Sequence, residues 1–173
     1  MPTIGVALAI PEPWGQQLQD YRTSVGEATA ALIPAHITLV PPVDVPEAEL
    51  EEIQDHLAHV ALTVPRFQVQ LRGTGTFRPV SPVVFVAVAA GGDGCEQLAD
   101  ALRRGPLGVE LQFPYHPHVT IAHHLPDEAL DRALAELADF RCSFDATAFH
   151  LYAHDAADGW KPTRDFVLGA PVD

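Results

Sequence analysis

Two short apolar segments of the sequence each carry a histidine and a threonine at alternate positions. The first pair is His36 and Thr38, and the second pair is His118 and Thr120. If both segments are strands, successive side chains point to opposite faces, so each histidine shares a face with its threonine. The sequence therefore presents two imidazoles and two hydroxyl groups on rigid elements, in two contexts that match.

Two imidazoles can divide one reaction between them, because histidine titrates near neutral pH. A neutral imidazole takes a proton from the attacking nucleophile, and a protonated one gives a proton to the leaving oxygen. Phosphodiester cleavage suits this division, since the attacking and leaving oxygens lie roughly in line on opposite sides of phosphorus. The hydroxyls of Thr38 and Thr120 can donate to the non-bridging oxygens, where negative charge develops. This chemistry needs no metal ion.

The ordinary interpretation of each residue is structural. A single histidine in a strand is usually a hydrogen-bonded structural residue, and a single threonine is a good strand former. The recurrence of both residue types, at the same spacing and in similar apolar surroundings, favours the functional interpretation.

The elements predicted around the two motifs follow the same order. An apolar run over 4–10 predicts a buried strand, and residues 14–25 have the periodicity of an amphipathic helix before the first motif. The run over 83–89 and the leucines at 98 and 102 repeat this order before the second motif. A helix and then a strand follow each motif, so both halves read strand, helix, His-x-Thr strand, helix, strand. Further strand regions are predicted over 144–152 and 166–168.

This architectural repeat predicts an α+β fold of two pseudo-symmetric lobes. Each lobe is expected to be a small, mostly antiparallel sheet backed by helices, with a central cleft between the lobes. We expect a single domain over 1–173, with lobes formed by the halves at approximately 1–79 and 80–173. The first His-x-Thr strand is expected to end at Pro41 and Pro42.

Composition limits the partners of this chain. It has 10 basic and 23 acidic residues among 173, a net charge of −13. That charge disfavours attraction to anionic membranes or to long nucleic acids. Cys95 and Cys142 have no metal-ligand spacing and make no disulfide framework, and the first residues make a poor signal peptide. We therefore expect a cytoplasmic protein.

The motifs resemble those of the 2H phosphoesterases, and among them the bacterial 2′,5′-RNA ligase-like proteins. The resemblance is carried by His36–Leu39 and Pro117–Ile121, supported by Gly73–Phe77 and the strand over 83–88. It implies a bilobal fold with a cleft between the lobes. It also implies metal-free hydrolysis of a 2′,3′-cyclic phosphate, without a cofactor, or the reversible formation of a 2′,5′ linkage in RNA.

The resemblance also implies roles for individual residues. It makes His36 and His118 catalytic: one activates water against the cyclic phosphate, and the other protonates the departing ribose oxygen. It makes Thr38 and Thr120 phosphate contacts. It leaves open which histidine is the acid and which is the base.

The sequence departs from the family in ways that bear on the substrate. Many relatives are more basic and carry an arginine soon after the second motif, where this chain has His123 and His124. A short RNA end or a small cyclic-phosphate nucleotide therefore fits better than a long RNA. A monomer is expected.

Other residues are candidates for the cleft. Arg78 is a candidate phosphate contact if the loop over 73–79 borders the cleft, although a solvated loop arginine is as plausible. Tyr115 can stack on a base or pack in the protein. Trp160, in a predicted turn, can do the same, and His116 is expected to support the entrance of the second motif strand.

Three alternatives remain open at this stage. The same fold could act on a non-RNA small-molecule cyclic phosphate, or it could bind nucleotides without turnover. A metal-dependent hydrolase is the third, because His116, His118, His123 and His124 are grouped in sequence. Strand alternation opposes a metal site, since it predicts His123 on the face away from His118.

Overall fold

A computed structural model of the chain describes residues 1–27 and 30–169. The eight strands are β1 (Thr3–Ala9), β2 (His36–Asp44), β3 (Phe67–Thr76), β4 (Val83–Ala90), β5 (His118–His123), β6 (Arg141–Ala146), β7 (Ala148–Asp155) and β8 (Gly159–Val167). The four α-helices are α1 (Trp14–Ser24), α2 (Leu50–Thr63), α3 (Gly92–Arg103) and α4 (Asp127–Glu136). Short 3₁₀ turns occur at Ala30–Leu32 and Glu47–Glu49. None of the helices described has the length and apolar character needed to cross a bilayer.

The strands form two four-stranded antiparallel sheets. Their orders are β2-β1-β7-β8 in the first sheet and β5-β4-β3-β6 in the second. In these orders the edge strand β2 corresponds to β5, and its neighbour β1 corresponds to β4. The predicted α+β architecture of two pseudo-symmetric antiparallel sheets backed by helices is therefore confirmed.

The sheets do not follow the expected halves of the chain. β3 belongs to the first half but lies between β4 and β6, whereas β7 and β8 extend the first sheet. The loop between β3 and β4 is short, and antiparallel strands joined by a short loop pair with each other as a hairpin. The division into lobes at 79/80 was therefore wrong, since each sheet takes strands from both halves.

The first His-x-Thr strand also extends further than predicted. β2 continues through Pro41 and Pro42 to Asp44. Within the described part of the chain β2 is an edge strand that pairs with β1 alone. A proline on an edge strand leaves no ladder hydrogen bond unmade on its outer side, so the strand tolerates both prolines.

The core lies between the sheets and the helices. Along β4 and β5 the core-facing side chains are fully buried: Val84, Val86, Val119 and Ile121. Two of the helices contact a strand of the other sheet: α1 packs against β5, and α3 packs against β2. Each helix that precedes a His-x-Thr strand therefore supports the His-x-Thr strand of the other lobe, while the opposite face of both strands is left for a site.

Candidate active site

The two His-x-Thr segments occupy equivalent positions in their sheets. Among the strands that the structure describes, β2 and β5 are edge strands, and each pairs with a single neighbour. The cross-strand partners also correspond: they are Ala9 with His36, Ala7 with Thr38, Ala87 with His118, and Phe85 with Thr120. The sequence repeat is thus matched by a repeat of register.

A β-bulge follows the threonine of each motif. In the first sheet Thr38 pairs with Ala7 but Val40 pairs with Val6, so Leu39 is an extra residue. In the second sheet Ile121 is extra in the same way, between the pairs Thr120–Phe85 and Ala122–Val84. Bulges bend a strand and re-aim its side chains. In both strands the regular pairing therefore ends directly after the threonine of the His-x-Thr motif.

Both catalytic candidates are held by the same backbone contact. His36 Nδ1–H donates to the carbonyl of Pro34 at 2.6 Å, and His118 Nδ1–H donates to the carbonyl of His116 at 2.7 Å. A carbonyl oxygen only accepts, so the proton lies on Nδ1 in both rings. The Nε2 atom of each imidazole is left to exchange a proton with a ligand.

The two edge strands meet where the sheets adjoin. β2 and β5 are in contact, and the Tyr115 hydroxyl, just before β5, donates to the carbonyl of Thr38 at 2.7 Å. Burial chiefly lowers the pKa of His118, and the charges of His116 and His36 lower it further. The fold thus brings the two motifs into one region, as the repeat predicted.

Burial is the main influence on both imidazoles. It lowers the pKa of His36 below its usual range, with a further decrease from the Arg22 cation and an opposing increase from the Pro34 hydrogen bond. It lowers the pKa of His118 in the same direction, against an increase from its bond to the His116 carbonyl. Both rings are therefore biased towards the neutral, proton-accepting form in the free protein.

The two threonines retain their hydrogen-bonding capacity. Thr38 and Thr120 are both half-buried. Within residues 1–27 and 30–169 neither hydroxyl has a hydrogen-bond partner, although Thr74 and Thr76 nearby in β3 each donate to a carbonyl. The hydroxyls of Thr38 and Thr120 are available to donate to phosphate oxygens.

A cavity opens beside the first motif. His36 and Thr38 form one side of it, and the small residues Gly5 and Ala7 of β1 form its floor. Tyr152 of β7 and Trp160 of β8 provide its aromatic wall. The Trp160 ring lies so close to β1 that a Cβ atom at Gly5 would be 3.6 Å from it. This cavity joins an imidazole and a hydroxyl to a flat aromatic surface.

The corresponding surface beside the second motif is filled. Phe77 and Phe85 contact each other with ring centroids 4.6 Å apart, and His118 lies edge-on to both at 4.9 and 5.4 Å. His116 packs against the same two rings at 5.2 Å from each. Phe85 covers Gly75, where a Cβ atom would lie 2.6 Å from the ring, so only glycine fits beneath it. His116 thus packs at the entrance of β5.

The other two predicted substrate contacts have partners within the protein. Arg78 donates to Asp131 at 2.8 Å and lies 3.5 Å from Asp127, both on α4. Tyr115 is half-buried, and its hydroxyl donates to the Thr38 carbonyl. The Arg103 guanidinium lies 5.5 Å from the centroid of its ring. Neither residue lines the cavity beside His36. Their contact with substrate stays a prediction.

The bulge in β5 changes the expected position of His123. With Ile121 as an extra residue, His123 pairs with Val83, which lies on the same side of β4 as Phe85. The prediction that His123 lies on the face away from His118 was therefore wrong, because it assumed regular alternation. The His123 ring stacks on His124, with centroids 3.6 Å apart. Among the residues described, no three His, Cys, Asp or Glu side chains converge as a metal site would need.

Comparison with known proteins agrees with this arrangement. The model of the 2'-5' RNA ligase superfamily matches residues 10–158. The chain belongs to the 2'-5' RNA ligase superfamily. A relative in Bacillus cytotoxicus is 31% identical over 141 residues, covering 80% of this chain and 81% of its own. Another, in Geobacillus kaustophilus, is 26% identical over 159 residues, covering 89% and 91%. Both carry the name "Putative phosphoesterase".

Solved structures share the superfamily fold. Escherichia coli LigT complexed with NADP+ has a TM-score of 0.75 and 22% identity, with 98% of each chain covered. LigT complexed with 3′-AMP has a TM-score of 0.66 and 21% identity, covering 97% of this chain and 99% of its own. This member of the superfamily thus has the same fold as LigT across almost its whole length.

Sequence reasoning gave little weight to the aromatic wall of the cavity in this superfamily member. Trp160 was predicted in a turn, as a residue that could stack on a base, and it lies in β8 and lines the cavity. Tyr152 was predicted only as part of a strand region. Both reach the first motif because β7 returns to pair with β1, some 140 residues earlier in the chain. Strand alternation was the one signal that the sequence offered for Tyr152, and alternation does not identify the strand with which β7 pairs.

Proposed function

We propose that this chain is a metal-independent phosphodiesterase that hydrolyses 2′,3′-cyclic phosphates on nucleotides or at RNA ends. The observation that carries the proposal is the pair of His-x-Thr motifs in equivalent register on two edge strands that meet. Each motif offers one imidazole with a free Nε2 and one hydroxyl. That set supplies a general base, a general acid and two donors to the phosphate.

The reaction follows from this division of roles. One imidazole, neutral, takes a proton from water as the water attacks phosphorus. The other, protonated, gives its proton to the ribose oxygen that leaves on the opposite side. The hydroxyls of Thr38 and Thr120 donate to the non-bridging oxygens. The same steps, with the 5′-hydroxyl of a second RNA end in place of water and the 3′ oxygen as the protonated leaving group, join two RNA ends by a 2′,5′ linkage.

The cavity beside His36 supports a nucleotide as the substrate. Trp160 and Tyr152 give a flat aromatic surface on which a base can stack, and the phosphate then lies towards His36 and Thr38. Escherichia coli LigT has been crystallised with 3′-AMP, ATP and NADP+, so the shared fold accommodates nucleotides. The net charge of −13 favours a mononucleotide or a short RNA end over a long RNA.

The decisive experiment is turnover of cyclic phosphates by the wild type, His36→Ala and His118→Ala. A panel of 2′,3′-cyclic mononucleotides, a cyclic-phosphate oligonucleotide and sugar cyclic phosphates identifies the substrate class, and excess chelator is added in a parallel arm. We expect nucleotide turnover that survives chelation and falls about 10²–10⁴-fold in each variant. Nucleotide binding without product in the wild type, or turnover of sugar phosphates alone, contradicts the proposal.

The product distinguishes which bond the site breaks. Each cyclic phosphate opens to either a 2′- or a 3′-phosphate, according to which ribose oxygen lies opposite the attacking water. A single product is expected, because rigid strands hold both imidazoles. An equal mixture of the two products would indicate that either ribose oxygen can lie next to the general acid. The position of the aromatic wall on one side of the motif predicts a single orientation of the ribose instead.

A further inference from the structure

A third histidine lies on the cavity-bearing face of the first sheet. His150 of β7 pairs with Ala7 of β1, which pairs with Thr38 of β2, so the three side chains lie in one row across that face. Asp165 of β8 ends the row, opposite His150. The His150 Nδ1–H donates to Asp165 Oδ1 at 2.6 Å. The carboxylate thus fixes the orientation of the imidazole and leaves Nε2 exposed to a ligand.

The position of His150 relative to the cavity is well defined. Its side chain is only 21% exposed, and its ring centroid lies 6.2 Å from that of Tyr152 in the cavity wall. Within residues 1–27 and 30–169, His150 Nε2 has no hydrogen-bond partner. Between His150 and Thr38 lies only the methyl group of Ala7. Because neighbouring strands are about 4.8 Å apart, Thr38 and His150 are separated by roughly 10 Å.

On this face, a carboxylate holds the Nδ1–H of His150, whereas the exposed His154 packs on Trp160 with ring centroids 5.0 Å apart. The basic residues of β8 lie elsewhere: Lys161 pairs with Ala153 and bonds Asp158, and Arg164 pairs with Leu151 and donates to Gln54 of α2. The titratable groups in contact with His150 among the described residues include Asp165 and Tyr152, and burial raises the pKa of Tyr152. Tyr152 therefore adds a neutral hydroxyl, and Asp165 holds the Nδ1–H of the imidazole.

We infer that His150 binds a second phosphate of the substrate, one nucleotide unit from the phosphate held at Thr38. This inference rests on the proposed function and assigns a substrate class to it: nucleotides that carry a phosphate on both sides of the ribose. His150 donates from Nε2 to that second phosphate, while Asp165 accepts from Nδ1. An RNA end, whose last ribose bears a phosphodiester on its 5′ side, presents the same two groups.

Binding of two product-like ligands tests the subsite. Calorimetry compares adenosine 3′,5′-bisphosphate with 3′-AMP for the wild type, for His150→Leu and for the control His59→Leu on the exposed face of α2. The wild type and the control should prefer the bisphosphate about 10-fold, the range of one charge-assisted hydrogen bond. His150→Leu should abolish that preference and leave 3′-AMP affinity within about 2-fold. His150→Gln, which keeps a neutral donor, should retain about a 3-fold preference.

Several outcomes would overturn the inference. Equal weakening of both ligands in His150→Leu indicates a structural role, and equal affinities in the wild type show that the subsite does not exist. If His150→Leu does not fold, His150→Gln decides the matter by the same ratio. Turnover assays separate this inference from the proposed function. If the wild type prefers the bisphosphate, His150→Leu loses that preference and no cyclic phosphate is turned over, the subsite is supported and the phosphodiesterase is contradicted. If cyclic phosphates are turned over but the wild type has no preference for the bisphosphate, the phosphodiesterase is supported and the subsite is contradicted.

Discussion

The first and second His-x-Thr regions share their backbone and differ in what covers them. Each has an edge strand, a bulge after the threonine and an imidazole held by the carbonyl two residues earlier. Opposite the threonine, however, the first region has Ala7 and the second has Phe85. That one difference opens a cavity beside His36 and fills the equivalent space beside His118 with aromatic rings.

The comparison separates two requirements of a phosphodiesterase. Acid and base must approach phosphorus from opposite sides, and a pseudo-two-fold pair of identical motifs meets that requirement. The rest of a nucleotide extends from one side only, so the surroundings of the motifs need not be symmetric. We expect the nucleoside on the Ala7 side and only the phosphate at the Phe85 side.

The largest effect is expected where the filled region is emptied. Phe85→Ala removes a side chain that is 6% exposed and packs against three rings, so the free energy of unfolding should fall by about 3–5 kcal/mol. Chemical denaturation measures this. Val80→Ala, an exposed position in the neighbouring loop, is the control and should change stability little. A loss below about 1 kcal/mol would show that Phe85 does not hold together the aromatic packing beside the second motif.

The reverse substitution should close the open region. Ala7→Phe places a ring where the cavity floor now lies, so a base can no longer stack on Trp160. Stacking contributes about 1–3 kcal/mol per base, so KM for a cyclic mononucleotide should rise roughly 10–100-fold. Steady-state kinetics measure the change, and denaturation of the same variant confirms that it is folded. An unchanged KM in a folded variant would place the nucleoside elsewhere.

The two imidazoles should share one pH dependence of stability. In the unfolded chain both titrate near pH 6.5, and in the folded protein burial lowers the pKa of each. As the pH falls below about 6.5, the unfolded chain binds protons that the folded protein does not, so stability decreases until the folded pKa values are reached. Above pH 6.5 neither histidine contributes a pH dependence.

The size of this effect is up to about 1.4 kcal/mol per histidine for each pH unit of the shift. Urea denaturation of the wild type and of the double variant His36→Gln/His118→Gln at pH 7.5 and pH 5.5 measures it. The wild type should lose more stability than the variant on acidification. Equal losses would mean that other groups, such as His123, account for the decrease.

The smallest effect concerns the contact that joins the two regions. Tyr115→Phe removes the hydroxyl that donates to the Thr38 carbonyl and leaves that carbonyl without its partner. The expected loss of stability is about 1 kcal/mol. Activity should fall only a few-fold, because the imidazoles keep their own backbone bonds. A loss of activity as large as that of His36→Ala would instead make Tyr115 a direct substrate contact, as first predicted.

The sequence predicted the parts of the site that depend on local pattern. Alternation placed Thr38 beside His36 and Thr120 beside His118, and the repeat predicted two pseudo-symmetric sheets. It did not predict the bulges, because one extra residue in a strand leaves no mark on composition, and His123 was therefore placed on the wrong face. Nor did it predict that Tyr152 joins Trp160 in the wall of the cavity, since that depends on β7 pairing with β1 across most of the chain.

The partners of charged side chains were equally hidden. Arg78 has the residue type of a phosphate contact and a position near the second motif. Only the structure reveals that α4 presents Asp131 and Asp127 to its guanidinium. A similar limit applies to His150, whose pairing with Asp165 depends on the register of the β7–β8 hairpin.

The placement of β3 between β4 and β6 makes the molecule interlocked. A cut at 79/80 would leave an N-terminal fragment whose β3 has no neighbour, and a C-terminal fragment with a gap in the middle of its sheet. Neither fragment could complete a sheet alone, although the repeat gives the impression of two separable copies. The chain passes between the two sheets after β2 and again after β6, so two connections rather than one join the sheets that carry the imidazoles.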